Sequence, residues 1–178
     1  KKYRLYSGTV SRFEQQTLAR FITEGYFTRH LARERVAYKA RRDALAAENA
    51  FDAPVYALAR QFRAADAVVV AAPFWDLSYP AALRTYIEYI SANGLTYHYD
   101  AAGCHGDCAA GHLVYLTSGG DVEREDSVGV IHWRQLAAMF GIPQFDYVFA
   151  GGLDARPDTA GDTLTAACTL AGALAKTL

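Results

Sequence analysis

Apolar residues recur along this chain with two different periods, and the alternation between them sets the expected architecture. Ala67-Val-Val-Val-Ala-Ala72, closed by Pro73, is a short β-branched run, the pattern of a central parallel strand buried on both faces. Leu113-Val-Tyr-Leu-Thr117, running into Gly119 and Gly120, predicts a second strand, and Phe145-Asp-Tyr-Val-Phe-Ala150, running into Gly151 and Gly152, a third. Tyr3 to Ser7 predicts a weaker fourth, interrupted by Arg4.

Between these runs the period changes to that of a helix. Leu83, Tyr86, Ile87 and Ile90 follow Pro80 at i, i+3, i+4, i+7 spacing, and Val130, Trp133, Ala137 and Phe140 form a similar stripe. A third stripe runs through Leu164, Ala167, Ala171, Leu174 and Leu178, and places Cys168 on an apolar helix as a core residue. Strand and helix therefore alternate, which predicts right-handed βαβ units in a doubly wound parallel sheet with ligands at the carboxyl ends of the strands. Gly25 to Arg42 breaks the pattern, offering only Val36 and scattered aromatics where an edge strand belongs. Either it is mostly helical, with Arg29, Arg33, Arg35, Arg41 and Arg42 on a solvated face, or a stretch of chain is missing there.

Composition narrows the class. The 178 residues, 52% hydrophobic, are enough for one packed domain, so residues 1–178 are read as a single unit. A formal charge of −1 gives no general attraction to nucleic acid or to an anionic membrane. The longest apolar run, Ala67 to Phe74, is far below the roughly 20 residues that span a bilayer. Cys104, Cys108 and Cys168 are an odd, sparse set that suits a reducing compartment, and a soluble cytoplasmic protein is expected. Cys104, His105, Cys108 and His112 invite a zinc reading. Their spacing fits no common zinc arrangement, and Gly103, Gly106 and Gly111 mark an ordinary surface loop, so no metal is expected.

Three strand exits carry the candidate chemistry. Ser7 to Thr17 leads from the first strand into a helix with Leu18, Phe21 and Ile22, where Ser7, Gln15, Gln16 and Thr17 either cap the helix or help its N-terminus cradle a phosphate. No GxGxxG or GxxxxGK[ST] pattern occurs there. Pro73-Phe-Trp-Asp-Leu-Ser-Tyr-Pro80 sets two large aromatics at the end of a buried strand, where they either cap the core or form a wall for a planar ring. Thr117-Ser-Gly-Gly-Asp121 is either a plain strand-ending turn or a place where backbone N–H groups approach a ligand.

The stretch from Ala71 to Tyr99 resembles the central segment of FMN-dependent NADH-azoreductases, which belong with the flavodoxin-like quinone reductases. About thirty residues agree in one register. They include Pro73-Phe-Trp-Asp-Leu77, Pro80, Leu83, Tyr86, Ile87, Glu88, Gly94, Thr96, Tyr97 and Tyr99. Leu113 to Gly120 is similar to the family's second flavin loop, and Phe140-Gly-Ile-Pro143 to a later segment, so the likeness runs over roughly residues 51 to 153.

The resemblance implies a flavodoxin-like, three-layer α/β/α sheet with an uncertain edge strand. It implies FMN held with Pro73, Phe74, Trp75, Asp76 and Leu77 on one flank of its ring and Thr117, Ser118, Gly119 and Gly120 on the other. Tyr99 would line the slot, the FMN phosphate would lie near Ser7 to Thr17, and two copies would share the active site as a homodimer. The implied reaction is ping-pong hydride transfer from NADH or NADPH to a quinone or azo compound. Asp76 stands where better-known members have Asn, and Ser118 where a basic residue is common, so nucleotide preference does not carry over. The competing readings are a flavodoxin-like electron carrier, against which the near-zero charge argues, and a flavin-free regulatory or scaffold relative.

Overall fold

The computed structural model describes residues 50–121 and 127–178, together with Thr23 and positions 33, 36, 37, 39–41, 43–46 and 48. The chain divides into two compact units, Lys1–Glu48 and Asn49–Leu178. In the first, the described positions between Arg33 and Ala46 are helical, with Arg33, Val36 and Arg41 exposed, in keeping with the helical alternative for that stretch. The strand expected at Tyr3–Ser7, the helix at Leu18, Phe21 and Ile22, and Arg29, Arg35 and Arg42 lie outside the described residues.

The second unit is built on a parallel sheet. A 3-10 turn at Pro54–Tyr56 leads into α1 (Ala57–Arg63), then β1 (Ala67–Ala71), α2 (Ala81–Ile90) and a hairpin of β2 (Tyr97–Asp100) and β3 (Gly103–Gly106). β4 (His112–Ser118), α3 (Val128–Met139), β5 (Gln144–Ala150) and α4 (Ala160–Leu174) complete it. The three parallel strands stand in the order β1-β4-β5. Register sets Val68 beside Leu113 and Phe145, and Val70 beside Tyr115 and Tyr147.

Side chains alternate across a strand, so those six residues share one face of the sheet. They meet Phe62 of α1, Ile87 and Ile90 of α2, Val130 and Trp133 of α3, and Phe140 just after it in a single core. The first two stripes read from the sequence are buried here: Trp133, Phe140 and Ile90 are fully enclosed. Burying such side chains contributes about 1.5–3 kcal/mol each, which makes this face the main source of stability. α4 covers the opposite face along β5.

That opposite face departs from expectation. β1 is buried on one face only, since Val68 and Val70 are enclosed while Val69 is 53% exposed and Ala71 is open. Among the described residues β1 pairs only with β4, and α4 packs along β5 and leaves Val69 uncovered. Cys168 is likewise exposed and not a core residue. The half-buried stripe of α4 runs through Thr163, Ala167, Ala171 and Leu174, which turns Cys168, Leu164 and Leu178 outward.

The expected surface loop around Cys104 and His105 is instead an antiparallel hairpin. Asp100 Oδ1 accepts from the Ala102 amide at 2.7 Å, and Gly103 takes φ +127°, closing the turn. Gly106 has no room for a side chain, because a Cβ there would fall 1.9 Å from the backbone of Phe140 and Gly141. Ahead of the hairpin, the buried Thr96 hydroxyl donates to the Ile90 carbonyl at 2.7 Å and accepts from the Ala92 amide at 3.1 Å. It thereby satisfies backbone groups at the C-terminal end of α2.

Candidate functional site

The exits of β1 and β4 lie side by side. The parallel ladder continues past Pro73: the Ala72 amide donates to the Leu116 carbonyl at 3.0 Å and the Phe74 amide to that of Ser118 at 2.8 Å. An open cleft of about 400 Å³ sits there, lined by Ala71, Ala72, Pro73, Leu116, Thr117 and Ser118.

Beyond Phe74 the chain makes a tight turn. Trp75 and Ser78 exchange backbone hydrogen bonds at 3.2 and 2.8 Å, and the two central residues, Asp76 and Leu77, have φ of 49° and 62°. Two successive positive φ values define the mirror-image turn for which Asn-Gly is the usual sequence. A branched or bulky side chain in that region costs roughly 1–2 kcal/mol, and the strain persists only where surrounding structure imposes it. The amides of Asp76 and Leu77 donate to no backbone carbonyl among the described residues. Trp75 is 60% and Leu77 73% exposed, while Ser78 Oγ is buried without a hydrogen-bond partner among the described residues.

The aromatics of this exit differ in their surroundings. Phe74 is half-buried, its ring 5.6 Å from that of Phe149. Trp75 and Leu77 stand out beside the cleft as free apolar surface.

The double glycine of the β4 exit serves close packing. The Gly119 amide donates to the Ala150 carbonyl at 3.0 Å, so that donor is committed to the sheet and is not offered to a ligand as the sequence suggested. A Cβ on Gly119 would press on the Phe149 ring at 3.0 Å, and one on Gly120 would fall 2.2 Å from Asp154 Oδ2. The Gly120 carbonyl accepts from the Asp154 and Ala155 amides at 3.1 and 2.9 Å, which ties the β5 exit to the same edge.

One pair of residues at this edge escaped sequence reasoning. Tyr79, 5% exposed, follows the turn, and its hydroxyl is hydrogen-bonded to His132 Nδ1 on α3. The rings are nearly parallel, 5.9 Å apart at 19°, and the Arg84 guanidinium lies 5.7 Å from the Tyr79 ring centre. Burial, then Arg84, holds His132 below the ordinary histidine value of 6.5, and burial raises Tyr79. The two residues lie 53 positions apart, and no local spacing connects them.

Of the sequence-predicted residues, Pro73, Phe74, Trp75, Asp76, Leu77, Thr117, Ser118, Gly119 and Gly120 gather at this edge. Ser7, Gln15, Gln16 and Thr17 lie outside the described residues. Tyr99 is elsewhere: it stands 65% exposed on β2, edge-on to Tyr97, whose ring neighbours Phe140 just past the end of α3. α3 starts at the strand exits and ends at the strand beginnings, so the hairpin lies at the far end of the sheet.

His98 and His105 stack across the hairpin at 5.4 Å, the first bonded to Asp107 and the second to Asp100, both at 2.8 Å. The Ala102 amide and then His105 hold the Asp100 carboxyl below its usual range. Burial pushes the Cys108 thiol up to about 11. Buried His112 bonds Asp146 at 2.8 Å. Among the described residues no group of three or more His, Cys, Asp or Glu is arranged to hold a metal ion, and no helix is long and apolar enough to cross a membrane.

A parallel α/β sheet whose exits form an open, partly apolar edge defines the class. Residues 5–171 match the family described as having a flavodoxin-like fold, and the chain belongs to that family. It is 37% identical over 108 residues to FMN-dependent NADH:quinone oxidoreductase 2 of Clostridium acetobutylicum, covering 58% of this chain and 54% of the relative. FMN-dependent NADH:quinone oxidoreductase 1 of Listeria monocytogenes is 33% identical over 121 residues, covering 65% and 58%. A crystal structure of azoreductase from Bacillus anthracis superposes with a TM-score of 0.63 at 30% identity, over 70% of this chain and 62% of that one. The chain thus spans little more than half the length of the curated relatives it matches.

Proposed function

We propose that this chain binds FMN at the exits of β1 and β4 and serves as an oxidoreductase that passes hydride from NADH or NADPH to a quinone or azo acceptor. The observation that carries the reading is the Trp75–Ser78 turn. It holds two side chains at positive φ and exposes Trp75 and Leu77 beside an open cleft, which is strain and apolar surface without a structural return. The names of the relatives, FMN-dependent NADH:quinone oxidoreductases and an azoreductase, support the same chemistry.

The residues present suit a flavin ring. Trp75 and Leu77 offer apolar contact and Ser78 Oγ a buried polar atom. The amides of Asp76, Leu77 and Gly120 donate to no backbone carbonyl among the described residues and so are candidate donors at these exits. Thr117 and Ser118 line the cleft floor, and Ser7, Gln15, Gln16 and Thr17 are proposed for the phosphate. When bound, FMN supplies a ring that takes hydride from the nicotinamide and returns it to the second substrate in the same slot, a ping-pong cycle. The protein's own work is to orient, to present amides and to shield the ring's edge.

The family match crosses the boundary between the two compact units, which supports reading residues 1–178 as one domain. A homodimer remains part of the proposal, with Tyr99 lining a slot only where the hairpin of one copy reaches the exits of another. The three free cysteines suit the cytoplasm. The test is direct: purified protein is titrated with FMN, then reduced anaerobically with NADH and challenged with a small quinone. Saturable binding, bleaching of the flavin band and its recovery on quinone addition are expected. A folded protein that ignores FMN overturns the reading, and one that binds FMN but is not reduced by NADH points to an electron carrier.

A further inference from the structure

The strained turn is held from outside, and its fastening includes a titratable group. Within the turn, two backbone hydrogen bonds among the described residues, between Trp75 and Ser78, hold Asp76 and Leu77 at positive φ. On the Phe74 side the chain is anchored to Ser118, and on the other side the next residue is the buried Tyr79. We propose that Tyr79 and His132 are positioning residues whose side-chain hydrogen bond clamps the Trp75–Ser78 turn against α3, so that protonation of His132 releases the turn and weakens its grip on a ligand. The ligand half of this inference rests on the flavin reading above, whereas the clamp itself does not.

The direction follows from charge. A neutral imidazole lets Nδ1 accept from the Tyr79 hydroxyl; once charged, both ring nitrogens are donors, the phenol oxygen must turn to accept, and the clamped pair then holds a positive charge in a half-buried place, which opening to water relieves. The charged groups facing the pair set the sign. Arg84 of α2 lies over the Tyr79 ring and opposes a second positive charge on His132, and the Tyr115 phenol of β4 is the other titratable neighbour of Tyr79. Because His132 is held below its ordinary value of 6.5, the clamp is complete above that and is lost as the pH falls through the lower folded value.

Trp75 provides a reporter that needs no ligand, since it is 60% exposed on the turn while the other tryptophan, Trp133, is fully buried. Acrylamide quenching of Trp75 in the flavin-free protein should change between neutral and mildly acid pH. Tyr79→Phe keeps the ring and removes the hydroxyl, and should show the acid-type quenching at every pH. His132→Asn keeps an acceptor that does not titrate, and should hold the neutral-type quenching throughout. FMN affinity should follow: about five- to tenfold weaker in Tyr79→Phe at neutral pH, the value of one buried hydrogen bond, and independent of pH in His132→Asn.

Wild-type quenching without a pH step, or variants that titrate like wild type, would overturn the clamp whatever FMN does. A pH step in quenching together with no FMN binding would keep the clamp and remove the flavin reading.

Discussion

The exit edge of the sheet and the hairpin at its opposite end are made of similar materials, aromatics, histidines, acids and glycines, and they differ in how completely each satisfies itself. In the hairpin, glycine occupies the positive-φ position at 103, both histidines have carboxylate partners, and the Asp100 carboxylate caps its own turn. At the exit, aspartate and leucine occupy positive φ, two large apolar side chains face outward and a buried hydroxyl has no hydrogen-bond partner among the described residues. Polar groups are normally paired and strain normally relieved unless something else requires them. On the proposed reading, that contrast is what favours the exit as the flavin site and leaves the hairpin as a structural part.

The contrast can be broken from either side. The largest effect belongs to Gly106→Ala, which drives a Cβ into the backbone of Phe140 and Gly141. We expect a loss of roughly 3 kcal/mol in urea unfolding with FMN affinity unchanged in the protein that remains folded. A selective loss of FMN binding there would move the functional site to the hairpin. Trp75→Ala should do the reverse, leaving the unfolding midpoint in place and weakening FMN about tenfold, as befits one lost aromatic face. Equal affinity by flavin fluorescence would remove Trp75 from the site.

Leu77→Gly should stabilise the fold by about 1 kcal/mol by relieving positive φ, at the expense of cofactor affinity. A destabilised variant would mean that the turn is no reservoir of strain. A smaller signal comes from acid. The Asp100 carboxyl has a folded value below 3.8, so its contribution is complete above that and fades as pH falls through the lower folded value. Protection of the Ala102 amide from hydrogen exchange should follow that course. The smallest effect is a pattern of labelling: at mildly alkaline pH iodoacetamide should modify the exposed Cys104 and Cys168 and spare Cys108, whose thiol is pushed up to about 11. Rapid labelling of Cys108 would show that the hairpin opens.

Much of the framework was legible in the chain. Three of the predicted strands and the stripes at Leu83–Ile90 and Val130–Phe140 form where the periods place them, because a residue's burial is set by its spacing along its own element. The hairpin was hidden, since glycines at 103 and 106 look like loop signals, and the reason for the second is a neighbour across the fold. Thr96, part of a family-like motif, proves to hold the end of α2.

Local spacing thus determined which segments are strands and helices, which faces are apolar and which exits bear unusual residues, for these depend on neighbours within a few positions. Only the tertiary structure decided that Phe74 packs beside Phe149 while Trp75 stands exposed, that the Gly119 amide is spent on Ala150, that Cys168 faces outward, and that Tyr79 meets His132 across 53 residues. Those are outcomes of long-range packing and of pairing polar groups across it, and no periodicity in the chain encodes them.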